Sequence, residues 1–251
     1  MGEFIDPRVA AIEDRLASVE RVIAVTGSKG GIGKTVIASV TALTLADRGV
    51  PVGLLDLDFT SPTDHVVLGA PTDFPAETFG LDPHRVAGID LMSVAFMSGA
   101  APTPLRGVDT TSAMLELLAV TRWRGLDTLV VDMPPGLGDT SLDVLRYLPD
   151  VEFLLVATAS RLVIDSVRRA AALLTELHAN VVGVVANQAR DADDAVPRLA
   201  AEFDLPFVGS VPFDSGLEAS LGDVEALRRT EVYAALGRVS RVITPGAANG
   251  S

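Results

Sequence analysis

Cysteine is absent from all 251 residues of this sequence. Disulfides, cysteine-ligated zinc sites and cysteine-ligated iron–sulfur clusters are therefore excluded from the chain. Long apolar runs are missing too, because the longest candidate, residues 36–46, falls short of the ~18 residues that predict a membrane-spanning helix. The first residues place Glu3, Asp6 and Pro7 where a signal peptide needs an apolar core, so we expect a cytoplasmic protein.

Lysine is almost absent as well. Lys29 and Lys34 are the only lysines, whereas the remaining basic residues are all arginine. Both lie in one glycine-rich stretch, residues 28–35, which reads Ser-Lys-Gly-Gly-Ile-Gly-Lys-Thr. Arginine cannot replace a compact ammonium group that must fit among phosphate oxygens beside a tightly turned backbone. A phosphate-binding site explains this placement better than a general bias against lysine with two chance survivors.

Basic charge is scarce overall. The net charge is −13 and the isoelectric point is near 4.6. A nucleic-acid-binding surface requires a basic face, which this balance disfavours. The sequence therefore predicts no nucleic-acid partner, and the lack of a spanning segment predicts no membrane partner.

Short apolar runs alternate with amphipathic stretches along most of the chain. Such runs separated by helices are typical of a mostly parallel sheet that helices cover on both faces, so we predict an α/β fold. The predicted strands are residues 21–26, 52–57, 126–131, 151–157, 181–186 and 206–208. The predicted helices are residues 12–19, 34–47, 112–122, 162–177, 193–203 and 224–243. Residues 71–88 and 98–109 are rich in proline and glycine and are predicted to be surface loops.

No internal repeat and no long linker divides the sequence. We expect residues 1–20 to form a lead-in helix and residues 21–243 to form one domain. Residues 244–251 are small and polar, so a flexible tail is expected there.

The glycine-rich stretch stands between a predicted strand and a predicted helix, which is the context that a phosphate-binding loop requires. Its glycines let backbone N–H groups turn towards phosphate oxygens, and the following helix adds the positive end of its dipole. Lys34 is expected to reach the β- and γ-phosphates and the Thr35 hydroxyl to bind Mg²⁺. We therefore predict a three-layer P-loop NTPase. The expected nucleotide-binding residues of this loop are Ser28, Lys29, Gly30, Gly31, Ile32, Gly33, Lys34, Thr35 and Val36.

Acidic residues follow two further strands. Asp56 and Asp58 stand two residues apart at the end of the second strand, so both are expected to point the same way. One carboxylate would belong to the Mg²⁺ shell while the other orients the attacking water. Asp132 ends a later strand and is expected to bind Mg²⁺ through water. Gly136, four residues on, would offer its N–H to the γ-phosphate and move after hydrolysis.

The loop Lys-Gly-Gly-x-Gly-Lys-Thr resembles the deviant Walker A motif of the MinD/ParA/Mrp group of ATPases. In that group the additional lysine reaches across a dimer interface to the partner's nucleotide. The resemblance implies that Lys29 is this lysine, that catalysis needs a homodimer, and that Asp58 contacts the attacking water. ATP is expected rather than GTP, since the Asn-Lys-x-Asp motif of guanine sites is absent. The expected catalytic residues are Lys29, Lys34 and Asp58, and the expected Mg²⁺ ligands are Thr35, Asp56 and Asp132.

A narrower resemblance, to the Mrp/ApbC subgroup, covers about residues 12–214. Its discriminating segment is residues 132–139, Asp-x-Pro-Pro-Gly-x-Gly-Asp. The segments Gly-Val-Val-x-Asn and Val-Pro-x-Asp are similar to the adenine-side segments of that subgroup. The resemblance implies that Asn187, Pro212 and Asp214 contact the nucleotide, and that the chain acts in iron–sulfur cluster assembly.

Carrier members of the subgroup hold a bridging cluster on a Cys-x-x-Cys pair, which this sequence lacks. We therefore expect a homodimeric, Mg-ATP-dependent switch that assists the maturation of an iron–sulfur protein or other metalloenzyme, its protein client, without carrying such a cluster. A spatial-positioning ATPase like MinD or ParA is an alternative, although residues 224–243 offer little bulky apolar surface to a membrane. A metal-inserting ATPase of the CooC kind is another, but the sequence shows no ligands for its metal.

Overall fold

Strands and helices alternate along the part of the chain that the computed structural model describes, which is residues 6–98, 108–136, 138–148, 150–190 and 194–244. The elements in chain order are α1 (Pro7–Leu16), β1 (Arg21–Thr26), α2 (Lys34–Asp47), β2 (Val52–Asp56), α3 (Asp64–Leu68), β3 (His84–Val86), β4 (Ile89–Ser93), α4 (Ala95–Ser98), α5 (Val108–Val120), β5 (Thr128–Asp132), α6 (Asp139–Tyr147), β6 (Glu152–Ala157), α7 (Arg161–Glu176), β7 (Asn180–Ala189), α8 (Ala195–Glu202), β8 (Phe207–Pro212), α9 (Leu217–Ser220), α10 (Val224–Leu227) and α11 (Glu231–Ile243).

The strands form one eight-stranded sheet in the order β3-β4-β2-β5-β1-β6-β7-β8. All neighbouring strands are parallel except the antiparallel pair β3 and β4. In the centre of the sheet, Val25 of β1 and Asp56 of β2 both lie opposite Asp132 of β5. This register brings the carboxyl ends of the three central strands to one level at one edge of the sheet.

Helices cover both faces of the sheet. Connections between parallel strands are right-handed, so helices whose connections run in opposite directions along the sheet lie on opposite faces. The connection through α2 runs from β1 to β2, whereas those through α7 and α8 run the other way, from β6 to β8. α11 packs against α2 and β8, while α1 packs against α5. The predicted α/β fold with a mostly parallel, doubly covered sheet is therefore confirmed.

The sheet is wider than the apolar runs predict. β3 lies inside residues 71–88, which are predicted to be a surface loop, and β4 follows directly. β3 has only three residues, too few for a hydropathy pattern. β4 has a recognisable one, since Ile89, Leu91 and Met92 are each 0% exposed. For the second predicted loop, residues 98–109, residues 99–107 lie outside the described part of the chain, and Val108 already belongs to α5.

The C-terminal helix differs most from its prediction. The single helix expected over residues 224–243 is wrong, because α10 and α11 are separate helices. Thr230 breaks the run, since its Oγ1 accepts a hydrogen bond from the N–H of Tyr233 at 3.1 Å and caps α11.

The two ends of the chain also differ from expectation where they are described. α1 begins at Pro7, five residues before the predicted helix over residues 12–19, and Asp6 caps it. Ile12 and Leu16 of α1 belong to the main hydrophobic core. Thr244, the first residue of the predicted flexible tail, is buried, and its Oγ1 accepts a hydrogen bond from Arg48 at 3.1 Å. The rest of that tail lies outside the described residues.

Candidate functional site

The turn between β1 and α2 has the backbone shape of a phosphate-binding loop. Gly31 and Gly33 have φ angles of 77° and 85°, in a region that side-chain-bearing residues rarely adopt. A Cβ atom on Gly33 would also collide with Nδ2 of Asn187. α2 begins at the next residue, Lys34, so its unpaired N–H groups and the positive end of its dipole lie at this turn. Anions are stabilised at such a position.

A cavity of about 340 Å³ lies against this loop. Its walls come from the loop, from the segment after β2 and from the segment after β5, at the carboxyl ends of the three central strands. Ligands of open α/β sheets bind at this edge. The lining residues are Gly30, Gly31, Gly33, Lys34, Thr35, Val36, Asp58, Thr60, Ser61, Thr63 and Pro135.

Three loop residues predicted to bind the nucleotide do not line this cavity. Ile32 is buried in the core. Ser28 lines a second cavity of about 210 Å³ that Gly136 also borders, and its hydroxyl has no hydrogen-bond partner among the described residues. Lys29 is partly exposed.

Lys34 places a nearly buried ammonium group at the cavity. The residue is 7% exposed, and its Nζ donates a hydrogen bond of 3.5 Å to the carbonyl of Lys29. Burial lowers the pKa of Lys34, and the opposing charges of Asp132 and Asp58 raise it. A single long hydrogen bond leaves most of the donor capacity of this ammonium group for a phosphate oxygen.

Thr35 and Asp132, both predicted to bind Mg²⁺, are joined by a direct hydrogen bond. The Oγ1 of Thr35 donates a hydrogen bond of 2.7 Å to Oδ2 of Asp132. The other oxygen of Asp132, Oδ1, is buried and has no partner among the described residues. Burial raises the pKa of Asp132 to about 7, although the Thr35 hydrogen bond and the Lys34 charge lower it.

Asp56 lies beside Asp132 within the sheet. Its carboxylate is completely buried and accepts hydrogen bonds from the Ser93 hydroxyl at 3.0 Å and from the N–H of Asp58 at 3.1 Å. Burial, and secondarily the charge of Asp132, raise the pKa of Asp56 to about 8. Carboxylate oxygens of Asp56, Asp132 and Asp64 lie within 4.8 Å of one another, and we call these three residues the acidic cluster.

The oxygens at this position fit a magnesium ion. Hydroxyl and carboxylate oxygens are the ligands that Mg²⁺ prefers. The unpartnered buried Oδ1 of Asp132 lacks the contact that a cation or one of its water molecules would supply. Thr35, Asp132 and Asp56 are thus close enough together for their predicted role, which stays a prediction.

Asp58 lines the cavity wall, whereas Asp56 is completely buried, and the expectation that both point the same way stays a prediction. β2 ends at Asp56, so the alternation of a strand does not extend to Asp58. Its Oδ1 accepts hydrogen bonds from the N–H and the hydroxyl of Thr60, at 3.2 and 2.6 Å, and from the N–H of Ser61 at 3.1 Å. These contacts hold the Asp58 carboxylate at the cavity wall, where its charge still raises the pKa of Asp56, Asp64 and Asp132.

Gly136 is engaged within the protein in this conformation. Its N–H, predicted to contact the γ-phosphate, donates a hydrogen bond of 3.0 Å to the carbonyl of Gly27. The φ angle of Gly136 is 92°, which glycine tolerates. A contact with phosphate therefore requires this bond to break.

The three predicted adenine-side residues are only partly brought to the loop. Asn187 is buried next to the loop, and its Nδ2 donates a hydrogen bond of 2.7 Å to the carbonyl of Ile32. Pro212 ends β8, next to β7. Asp214 accepts hydrogen bonds from the N–H groups of Gly216 at 2.8 Å and Glu231 at 3.1 Å. Neither Pro212 nor Asp214 lines the 340 Å³ cavity.

The sequence motifs do not reveal two further features, one in the acidic cluster and one beside the predicted adenine-side residues at the end of β8. Asp64, the first residue of α3, joins the acidic cluster although no motif includes it, and the sequence shows only that it follows Asp56 after a short connection. Phe213 is 54% exposed at the end of β8, and the guanidinium of Arg190 lies 5.2 Å from its ring centre. An exposed aromatic residue between two predicted adenine-side residues is the signal that could have identified this pair.

Among the described residues, the helices are too short or too polar to cross a lipid bilayer.

Sequence relatives point to one family. The model of the ParA family described as NUBPL iron-transfer P-loop NTPase matches residues 18–240. An iron-sulfur cluster carrier protein of Pseudomonas fragi is 35% identical over 178 residues, which are 69% of this chain and 62% of the relative. A cytosolic Fe-S cluster assembly factor, a NUBP2 homolog of Monosiga brevicollis, is 32% identical over 84% of this chain and 81% of its own. The chain thus spans less than two thirds of the Pseudomonas protein.

Solved structures agree with this family. A nucleotide-binding protein of Archaeoglobus fulgidus in complex with ADP is 27% identical, with a TM-score of 0.72 over 90% of this chain and 93% of its own. The cell division ATPase MinD of Pyrococcus furiosus shares the fold at 20% identity, with a TM-score of 0.64 over 90% of this chain and 99% of its own. The resemblance predicted from the loop and from residues 132–139 is confirmed, and the chain belongs to the ParA family of NUBPL iron-transfer P-loop NTPases.

Proposed function

We propose that this protein is a cytoplasmic, Mg-ATP-dependent ATPase that works as a homodimer and assists the maturation of an iron–sulfur protein or another metalloenzyme. It does so without holding a cysteine-ligated cluster. The observation that carries the proposal is the site in which Thr35 donates a hydrogen bond to Asp132 and the charge of Lys34 lowers the pKa of Asp132, in a chain that has no cysteine. Relatives named as iron-sulfur cluster carriers and assembly factors supply the metal-related part of the proposal.

The loop would bind the phosphates of ATP. Backbone N–H groups at Gly30, Gly31 and Gly33 would donate to phosphate oxygens, and the Lys34 ammonium would contact the β- and γ-phosphates. Thr35 and Asp132, with Asp56 behind them, would hold Mg²⁺. That ion would neutralise negative charge on the phosphates when bound.

Asp58 would orient the water that attacks the γ-phosphate. Its Oδ1 is held by Thr60 and Ser61, which fixes the carboxylate at the cavity wall. Catalysis of phosphoryl transfer depends mostly on positioning, so a fixed acceptor at this place is sufficient for the role.

Lys29 and Gly136 would couple the nucleotide to a second copy. Lys29 lies on the partly exposed side of the loop and does not line the cavity of its own chain. The bond between Gly136 and Gly27 would break when the γ-phosphate takes over the Gly136 N–H, so ATP and ADP states would differ in this segment.

Because this chain has no cysteine, we assign the iron–sulfur cluster to a partner protein. Iron–sulfur clusters are held by cysteine thiolates, so a metalloprotein client would keep the metal while this chain supplies a nucleotide-driven conformational change. α11 would not serve as a membrane anchor, because most of its apolar residues are buried against the rest of the chain and Val242 is the large apolar residue of this helix that is exposed. The buried residues include Val232, Leu236, Val239 and Ile243.

The experiment compares three properties of the purified chain. We expect ATP hydrolysis that stops in EDTA, an increase in mass to that of a dimer with ATP by light scattering, and no cluster absorbance after anaerobic treatment with iron and sulfide. For the client, Asp58→Ala loaded with ATP is used as bait in the native cell, with Lys34→Ala as the matched bait that lacks nucleotide. Enrichment of metalloproteins or their assembly factors by the first bait alone supports the proposal. Enrichment of chromosome or division proteins, or ATP-dependent sedimentation with DNA or liposomes, contradicts it.

A further inference from the structure

Asp64 is a buried carboxylate for which the proposed function has no role so far. It is the first residue of α3 and is 0% exposed. Its Oδ1 accepts a hydrogen bond from the hydroxyl of Ser39 on α2. Its Oδ2 is buried and has no partner among the described residues.

Ser39 and Thr35 lie one turn apart on the same face of α2. Thr35 donates its hydroxyl hydrogen bond to Asp132, and Ser39 donates its own to Asp64. One helix face thus orients two carboxylates from two other elements, β5 and α3. This arrangement places Asp64 beside the proposed Mg²⁺ ligands by specific contacts.

The acidic cluster brings three buried carboxylates together. Asp56 and Asp64 are 0% exposed and Asp132 is 1% exposed, and their oxygens lie within 4.8 Å of one another. Burial and the charges of Asp132 and Asp56 raise the pKa of Asp64 well above its usual value.

Two unpartnered oxygens remain within this cluster, Oδ1 of Asp132 and Oδ2 of Asp64. A buried acceptor without a partner is costly, and most native structures avoid it. Carboxylate oxygens at this spacing suit a hard divalent cation with its water molecules. The two free acceptors are therefore a second indication of a ligand, independent of the count of acidic residues.

We propose that Asp64 is a third carboxylate of the divalent-cation site, acting with Asp56 and Asp132 on the cation that Thr35 binds. This inference rests on the proposed function, since the cation is the one that accompanies ATP. Asp64 is a positioning residue, because Ser39 holds it and it acts on phosphate chemistry through the cation. Its effect is to raise the affinity for the divalent cation.

The test measures cation binding, with Mn²⁺ as the probe and electron paramagnetic resonance as the readout. Asp64→Asn keeps the size of the side chain and removes the charge. In the presence of ADP it should weaken Mn²⁺ binding by about tenfold, which is the usual loss for a residue supporting a metal site. Affinity for ADP in EDTA should not fall, because no favourable contact with the nucleotide is lost.

Ser39→Ala gives a second probe that keeps the carboxylate, and it decides the question if Asp64→Asn does not fold by circular dichroism. We expect a loss of about two- to threefold in Mn²⁺ affinity, since the hydrogen bond only orients Asp64. Thr41→Val is the matched control. It removes a buried hydroxyl from the same helix, one that has no partner within the described structure, and should leave Mn²⁺ binding unchanged.

Unchanged Mn²⁺ affinity in Asp64→Asn, or in Ser39→Ala where the first variant is unfolded, overturns the inference. Failure of the proposed function has a different signature, because the unaltered protein itself would then bind no nucleotide or would bind Mn²⁺ equally well without ADP.

Discussion

The two sides of the candidate site are built in opposite ways. On the proposed cation side, Asp56 and Asp132 are buried at the ends of neighbouring strands, and Thr35, at the start of α2, donates its hydroxyl to Asp132. Oδ1 of Asp132 has no partner among the described residues. On the switch side, Asp58 and Gly136 have their polar groups paired within nearby loops. Under the proposed function, the first side would bind a cation without rearrangement. On the second side, Asp58 would keep its hydrogen bonds, whereas Gly136 would exchange its bond to Gly27 for one to the γ-phosphate.

This difference separates binding from switching. Groups on strand ends keep their geometry whether or not a ligand is present, so they suit nucleotide and cation binding. Groups paired within loops exchange partners at low cost, so they suit a nucleotide-dependent change. Substitutions on the two sides should therefore affect different steps.

Lys34→Ala should have the largest effect, because it removes the buried ammonium between the loop and Asp132. Truncating one partner of a buried charge pair costs several kcal/mol, so nucleotide affinity should fall by about 1,000-fold. Titration with a fluorescent ADP analogue measures this loss. Lys29→Ala removes the other lysine of the same loop and is the control, which should bind within about threefold of the unaltered protein. Equal losses in the two variants would contradict the division into two sides.

Asp58→Asn should reduce turnover by about 100-fold while leaving nucleotide binding nearly unchanged. Positioned acid–base and water-orienting groups contribute about this factor, and the amide keeps the hydrogen bonds that Thr60 and Ser61 donate. Single-turnover hydrolysis measured beside ATP affinity separates the two effects. An equal loss of affinity for ATP would place Asp58 on the cation side instead.

The stability of the metal-free protein should fall as the pH rises from 6 to 8. Burial raises the pKa of Asp132 to about 7 and that of Asp56 to about 8, whereas both carboxyls have pKa values near 3.8 when unfolded. The folded state thus binds protons that the unfolded state has released, and its advantage is lost as the pH rises through the folded values. We expect a loss on the order of 2 kcal/mol in the free energy of unfolding, measured by urea titration in EDTA.

The matched comparison repeats these titrations with Mg²⁺ and ADP. The bound cation should compensate the charges of the acidic cluster, so the dependence on pH should become shallower. An equally steep dependence with and without the ligands would mean that the cation does not contact these carboxylates.

The sequence predicts the centre of the molecule better than its edges, for physical reasons. β1 and α2 occur at the predicted residues because the glycine-rich turn marks the end of β1 and Lys34 and Thr35 mark the start of α2. The closeness of Asp56 and Asp132 could be predicted, because the carboxyl ends of parallel strands lie at the same edge of a sheet. The place of Asp64 depends on how α3 packs against α2, which no local pattern encodes. The hydrogen bond from Gly136 to Gly27 likewise joins distant segments and is visible only in the fold.

Lys29→Ala should have little effect on ATP binding by a single copy, but it should reduce the turnover and the formation of the dimer. If Lys29 completes the partner's site, its loss removes one charge-assisted hydrogen bond from each site of the active dimer, and turnover should fall by about tenfold or more. Binding of ATP by one copy should be spared, because the side chain does not line its own cavity. Light scattering with ATP should show fewer dimers, and mixing with Asp58→Asn should restore part of the activity, since each hybrid dimer then keeps one intact site. Full activity of Lys29→Ala alone would show that one chain completes its own site, and the switch side would then need no second copy.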